Sequence, residues 1–165
     1  MTINKEKLNI ALDELELSYR DIVDMATDIV GDAVKDVDKI IENISESMSN
    51  DDLRNTLLKL SLRAYSLGEF KEKATMKSEL AETVRKQKYA IEFNGAEGSV
   101  AAKDNSAIIS SAESVIVEVL YNLVSSLLKT KLDEAHRCVD TMKTILMSRL
   151  SEAKLSNTLL DNTEI

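Results

Sequence analysis

Not one proline occurs in these 165 residues, and glycine occurs only at Gly31, Gly68, Gly95 and Gly98. Average usage would place roughly eight prolines and about a dozen glycines in a chain of this length. Proline ends helices because it lacks an N–H and its ring clashes with the preceding turn. A chain without it is free to run long helices. Gly95 and Gly98 fall together in Asn94-Gly95-Ala96-Glu97-Gly98-Ser99, which marks one strong turn.

Hydrophobic residues make up 44% of the chain, enough for a sizeable core, while aromatics are 4% and tryptophan is absent. The core is therefore aliphatic. The formal net charge of -8 is unevenly placed: residues 1–52 hold five basic and fourteen acidic side chains, and the rest is nearly balanced. Such asymmetry suits a partner with a basic surface, or simply solubility. Cys138 is the lone cysteine, so no internal disulfide forms, which fits a reducing cytoplasm. The N-terminus lacks a signal-peptide layout. The most apolar stretch, Ala107–Leu128, contains Glu113, Glu118, Asn122 and five serines, and reads as a central helix rather than a membrane span.

The periodicity predicts an all-α protein of about three long helices, near 4–48, 51–93 and 100–156, in one helical domain over 1–165. From Leu8 through Leu12, Leu15, Tyr19, Ile22 and Ala26 to Ile44, apolar residues advance by alternating threes and fours. This is the spacing of a coiled-coil or bundle seam. Two consecutive fours, Ile29 to Ala33 to Val37, form a stutter around Gly31. Asn4 is expected to cap this acidic first helix, over 1–50, and Ser49 the second, with Asp51 and Asp52 complementing its dipole. The second helix uses Leu53, Leu57, Leu60, Ala64 and Leu67, then a thinner stripe of Phe70, Ala74, Leu80, Val84 and Ile91. A loop over 94–105 leads to the third, with Ala112, Ile116, Val119, Leu123, Leu127, Ala135, Val139, Met142, Leu146 and Leu150. The tail 156–165 is expected to fray.

At 1.5 Å per residue a first helix of about 44 residues spans roughly 65 Å. A compact globule of this length is only about 40 Å across. Either the molecule is an elongated antiparallel bundle or coiled-coil hairpin, or the helices break at Gly31 and Gly68. The seams favour the elongated form, with self-association through a spare seam.

Several patterns suggest chemistry, and each has a plainer account. Asp133-Glu134-Ala135-His136 spells a helicase motif, but no phosphate-binding loop accompanies it. A di-iron bundle needs a Glu-x-x-His on each of two helices, and His136 is the only histidine. Asp133, His136 and Asp140 share a face that could hold a metal weakly but reads as solvated, and a helical metal or enzyme site shared between chains is a further, less favoured alternative. His136 and Cys138 are two apart and point in different directions on a helix. Asp32, Asp36 and Asp38 lack the calcium-loop pattern. The turn Asn94–Ser99 matches no phosphate-loop fingerprint. No catalytic, cofactor-binding or metal-ligating set emerges, and the chain is expected not to be an enzyme.

Two surfaces remain as candidates for partner binding. Asp21, Asp24, Asp28 and Asp32 form an acidic stripe, suited to a basic protein surface or to mimicry of nucleic-acid phosphates. Lys71, Lys73, Lys77, Arg85, Lys86 and Lys88 form the most basic segment, interleaved with Glu72, Glu79 and Glu82. An alternative reading is a nucleic-acid-binding accessory using Lys71–Lys88, although that chemistry wants a clear basic stripe or aromatic platforms. Glu69–Lys73 and Glu82–Lys86 are helix-stabilising i, i+4 pairs.

From Tyr89 to Leu155 the chain combines the Asn94–Ser99 turn, a long helix and the terminal Met147-Ser148-Arg149-Leu150-Ser151-Glu152-Ala153-Lys154-Leu155. In this it resembles small all-helical accessory proteins encoded by phages and prophages of Gram-positive bacteria. The resemblance implies a helical factor that assists or interferes with a nucleic-acid or host machine. It carries over no functional residue.

Overall fold

The computed structural model describes residues 5–45 and 47–161, with side chains as far as Leu155. The chain is all-α. Five helices follow one another: α1 (Lys5–Glu14), α2 (Tyr19–Glu42), α3 (Asn50–Gly95), α4 (Val100–Ser110) and α5 (Ala112–Asp161), with no strand among the described residues. Five rather than three is a correction. The expected Asn4 cap and positions 162–165 lie outside the described residues.

The first predicted helix ends early because residues 15–18 break it. Glu16 adopts a left-handed backbone with φ 53°. The Glu16 N–H donates to the Asp13 carbonyl at 3.3 Å, and the Leu17 N–H to the Leu12 carbonyl at 3.0 Å. This is the bond pattern of a Schellman helix stop, with the usual apolar contact between the residues it brings together. Leu12 is buried, and Leu17 packs against the same core. Ser18 then caps α2. Its Oγ accepts from the Asp21 N–H at 3.3 Å, while the Asp21 carboxylate accepts from the Ser18 N–H at 2.7 Å. Ser18-Tyr19-Arg20-Asp21 is thus a reciprocal capping box.

The predicted third helix is divided at Ser111. This buried hydroxyl donates back to the Ala107 and Ile108 carbonyls, and α4 and α5 meet there at a bend of 60°. The expected loop over 94–105 shrinks to residues 96–99. Ser99 caps α4 by accepting from the Ala102 N–H at 3.3 Å, so Lys103–Ser106 are helical rather than a second cap. The Ser49 cap does form, its Oγ accepting from the Asp52 N–H at 3.1 Å.

Gly31 and Gly68 lie inside continuous helices, with no break at either. Their neighbourhood matters in another way. By packing, the chain divides into two compact units: Met1–Asp32 with Glu69–Lys129, and Ala33–Gly68 with Thr130–Ile165.

In the first unit, α1 packs against α4. Ala11, Leu12, Ile22, Ala112, Val115 and Ile116 form a buried cluster, edged by Leu8, Leu15 and Met25. Here α3 runs opposite in direction to α5: Thr75 meets Ser125 at 3.0 Å, Ser78 donates to the Glu118 carbonyl at 3.2 Å, and Lys88 pairs with Glu113. The buried positions of this stretch of α3 are Ala74, Ser78 and Ala81. Small residues let the backbones approach while the hydroxyls find partners.

The second unit buries larger aliphatic residues: Val37, Leu53, Leu60, Leu67, Val139 and Met142 among them. Ion pairs flank this core, Arg63 to Asp36 at 3.1 Å and Lys131 to Asp38 at 2.6 Å. Arg149 closes one end by donating to the Met48 carbonyl at 2.7 Å and to Asn50 Oδ1 at 3.2 Å.

Candidate interaction surfaces

Asp21, Asp24, Asp28 and Asp32 all sit in the first unit and all are exposed, while Ile22, Ala26 and Val30 of the same helix are buried. At about 100° per residue the stripe lies opposite the packed face. Its members differ in what they do. Asp21 caps the helix, and its hydrogen bonds to the Ser18 side chain and backbone hold its carboxyl below the usual carboxylate range. Asp24 lies 3.9 Å from Arg20. Asp28 and Asp32 make no ion pair among the described residues.

The basic segment is mostly engaged internally. Lys71 pairs with Glu72 at 2.7 Å, and Lys86 with Glu82 at 2.7 Å. The latter bond draws the Glu82 carboxyl below its ordinary range. Lys77 donates to the Tyr121 hydroxyl at 3.1 Å and lies 4.6 Å from the centre of its ring. Lys88 lies 3.9 Å from Glu113. Arg85 reaches inward, Nε to Glu118 Oε2 at 2.7 Å. Of the six basic residues, Lys73 alone has no ion pair or hydrogen bond among the described residues, and it does not pair with Glu69. The segment therefore presents little uncompensated charge to a phosphate backbone.

Below it is a polar cluster joining three helices. Asp104 of α4 accepts from the Tyr89 hydroxyl and, at 3.3 Å, from Lys7 Nζ. The tyrosine hydrogen bond lowers the Asp104 carboxyl and the same bond raises the Tyr89 phenol. Lys7 also sits 4.7 Å from the Tyr89 ring centre, and Tyr89 stacks on Phe93 at 5.8 Å. In the second unit Lys131 answers both Asp38 and Glu134. Burial pulls its ammonium down, but the two carboxylates outweigh that and leave it above the ordinary lysine value.

The surface that sequence reasoning missed is apolar. The inner face of α3 is buried at Leu53, Leu60, Ala64, Leu67, Ala74 and Ala81. Leu80 and Ile91, expected on that face, instead lie outside it with Leu58, Leu62, Tyr65 and Met76, all 58–75% exposed. Turning about 100° per residue puts Leu58, Leu62 and Tyr65 of the second unit in one sector opposite its buried face, and does the same for Met76, Leu80 and Ile91 of the first. Helix α3 thus has two apolar faces. The signal was present in the spacing of Leu58, Leu62 and Tyr65, but a search for one seam passes over a second. Beside Leu80 a shallow groove between α3 and α5 is lined by Lys77, Val84, Ser114, Val117 and Tyr121.

Among the described residues no three His, Cys, Asp or Glu side chains are grouped to hold a metal ion. No single helix among them is long and apolar enough to cross a membrane; only the bent pair α4 and α5 together reaches that length and apolarity, with Ala107, Ile108, Val115 and Ile116 buried in the protein. No family model, curated protein or solved structure matches this chain.

Proposed function

We propose that this is a non-enzymatic interaction protein of the cytoplasm, which works through helix faces and self-association. In this reading the helices form an antiparallel bundle or coiled-coil assembly, acting as an accessory factor beside a nucleic-acid or host machine, in keeping with the phage-protein resemblance of residues 89–155. The observation that carries it is the outer face of α3. Isolated exposed apolar residues are ordinary on protein surfaces. Groups of large ones spaced along one helix face, Leu58, Leu62 and Tyr65 in the second unit and Met76 and Leu80 in the first, favour an interface. The acidic stripe of α2 offers a second contact for a basic partner.

Light scattering on the purified chain tests the reading. The expected mass exceeds the 18.3 kDa of one chain. The double variant Leu62→Glu/Leu80→Glu, still helical by circular dichroism, is expected to lose both self-association and partner capture from the native host. A monomeric protein whose partner capture is unchanged by that variant overturns the reading.

A further inference from the structure

The stop between α1 and α2 is a helix end that its own residues do not require. Leu15-Glu16-Leu17-Ser18 contains neither glycine nor proline, and leucine and glutamate are good helix formers. The left-handed position of such a stop is usually a glycine. Here it is Glu16 at φ 53°, so the turn is strained where a helix through the same residues is not. A short hinge under strain is a place where chains exchange elements. The apolar positions also continue in phase across the break. Leu8, Leu12 and Leu15 lead by the same threes and fours to Tyr19, Ile22 and Ala26. With residues 15–18 helical, all six lie along one face. In the folded-back form α1 and α2 are separate helices, and nothing there requires their apolar positions to be in phase.

Helix α1 does not stand alone when this hinge opens. Its 10 residues are too few for a stable helix in water. Its departure also uncovers apolar surface within the first unit, because Ala11 and Leu12 are packed there with Ile22, Ala112, Val115 and Ile116. Lys7 leaves Asp104 at the same time. The segment seated on that site is α1 itself, so an α1 from a second copy restores these contacts. We propose that α1 is an exchangeable arm: residues 15–18 become helical, and α1 of each copy docks against α4 and α5 of the other in place of its own. One face of the joined helix then serves two cores, its own at Ile22 and the other copy's at Leu8 and Leu12. That double duty requires the phase that the sequence keeps. The exchange is reciprocal, so it closes as a twofold dimer. It goes beyond the α3 contact proposed above and does not depend on it.

Hinge variants of the full chain test it on the Leu62→Glu/Leu80→Glu background, which removes association through α3. The protein is concentrated in urea just below its unfolding midpoint, returned to buffer and separated by size. A dimer is expected to accumulate. Each dimer contains two open hinges, so a change at the hinge counts twice. Ser18→Ala removes the cap of the closed form and favours helix at that position, and should tighten the dimer roughly tenfold or more. Glu16→Gly relieves the closed turn and weakens the helix, and should loosen the dimer roughly tenfold or more. Energy transfer then identifies what was exchanged, with Cys138→Ser also in place. A donor on Lys5→Cys of one chain and an acceptor on Asn105→Cys of another should show transfer within the isolated dimer, because Lys7 and Asp104 meet beside them. A dimer indifferent to both hinge variants, a dimer without transfer, or no dimer from any of the three chains overturns the exchange. Light scattering on the freshly purified chain, before any urea, reads the α3 contact separately.

Discussion

Arg85 of α3 donates from Nε to Glu118 Oε2 of α5 at 2.7 Å, with the arginine side chain 19% exposed and the glutamate 4%. A carboxylate this far from water is stable only while its partner stays. Ser78 satisfies the carbonyl of the same glutamate, so one turn of α5 is tied to α3 by side chain and backbone together. Arg85→Ala should therefore lower unfolding stability by about 3 kcal/mol, measured by urea denaturation. Arg85→Met/Glu118→Leu, which removes both charges, should recover most of that loss. If the single and double variants are equally unstable, the ion pair is not what Glu118 depends on.

Glu16 holds a left-handed backbone that glycine adopts without strain. Glu16→Gly should raise stability by about 1 kcal/mol, because the Schellman stop needs the conformation and not the side chain. Ser18→Ala, which removes the cap of α2, should lower it by about 1 kcal/mol. Chemical denaturation of the two variants reads both signs. A loss on Glu16→Gly would mean the carboxylate itself contributes there.

Gly31 and Gly68 have open space where a Cβ would lie. Both are inside helices, so Gly31→Ala and Gly68→Ala should each stabilise by about 1 kcal/mol in thermal unfolding. Gly98 differs, having φ +112°, although its nearest neighbour, the Ala102 Cβ, is at an ordinary 3.6 Å. Gly98→Ala should destabilise through backbone strain alone, by about 1 kcal/mol or more.

The cluster of Tyr89, Asp104 and Lys7 makes stability depend on pH in two directions. Asp104 titrates lower in the folded chain than in the unfolded one. Its contribution is present above the ordinary carboxylate value and is lost as pH falls through the lowered one, in the region below about pH 4. Tyr89 titrates higher when folded. Its contribution is present below the ordinary phenol value and is lost as pH rises above about 10. Tyr89→Phe should move the Asp104 carboxyl titration upward, as followed by carbon NMR, and remove the tyrosine's share of the alkaline loss. An unmoved Asp104 titration would show that Lys7 alone sets it.

Much of this was open to a reader of the sequence. The Ser49 cap, the Glu82–Lys86 pair and the alternating threes and fours from Leu53 to Leu67 all reappear in the structure. The break after α1 was less visible because its left-handed residue is a glutamate. Yet Ser18 and Asp21 already had the spacing of a capping box. Midway along α5 Val124 and Leu128 are buried where Leu123 and Leu127 were expected, and Leu127 is 40% exposed, a shift of one residue that periodicity cannot resolve where a helix is apolar on most sides. The acidic stripe was legible as a stripe, but not that Asp21 has a structural task within it. The inward turn of Arg85 was hidden entirely, since a basic residue in a basic segment reads as surface.

The sequence by itself determined that the chain is helical. With no proline and apolar residues returning every three or four positions, backbone hydrogen bonding within each segment is the only ready solution. It also determined that α3 carries apolar residues on two faces. Only the tertiary structure decided which face is buried and where the helices stop. Periodicity identifies faces of equal local merit, whereas burial depends on what another segment brings against them. Ala74, Ser78 and Ala81 face inward because α5 comes close enough to use their small size, and Leu80 and Ile91 are left outside. In the same way Glu16 takes a strained backbone, and Gly31 and Gly68 remain helical. Packing Leu12, Leu15 and Leu17 into one core outweighs a local penalty of about 1 kcal/mol, and nothing in the core requires a turn at either glycine.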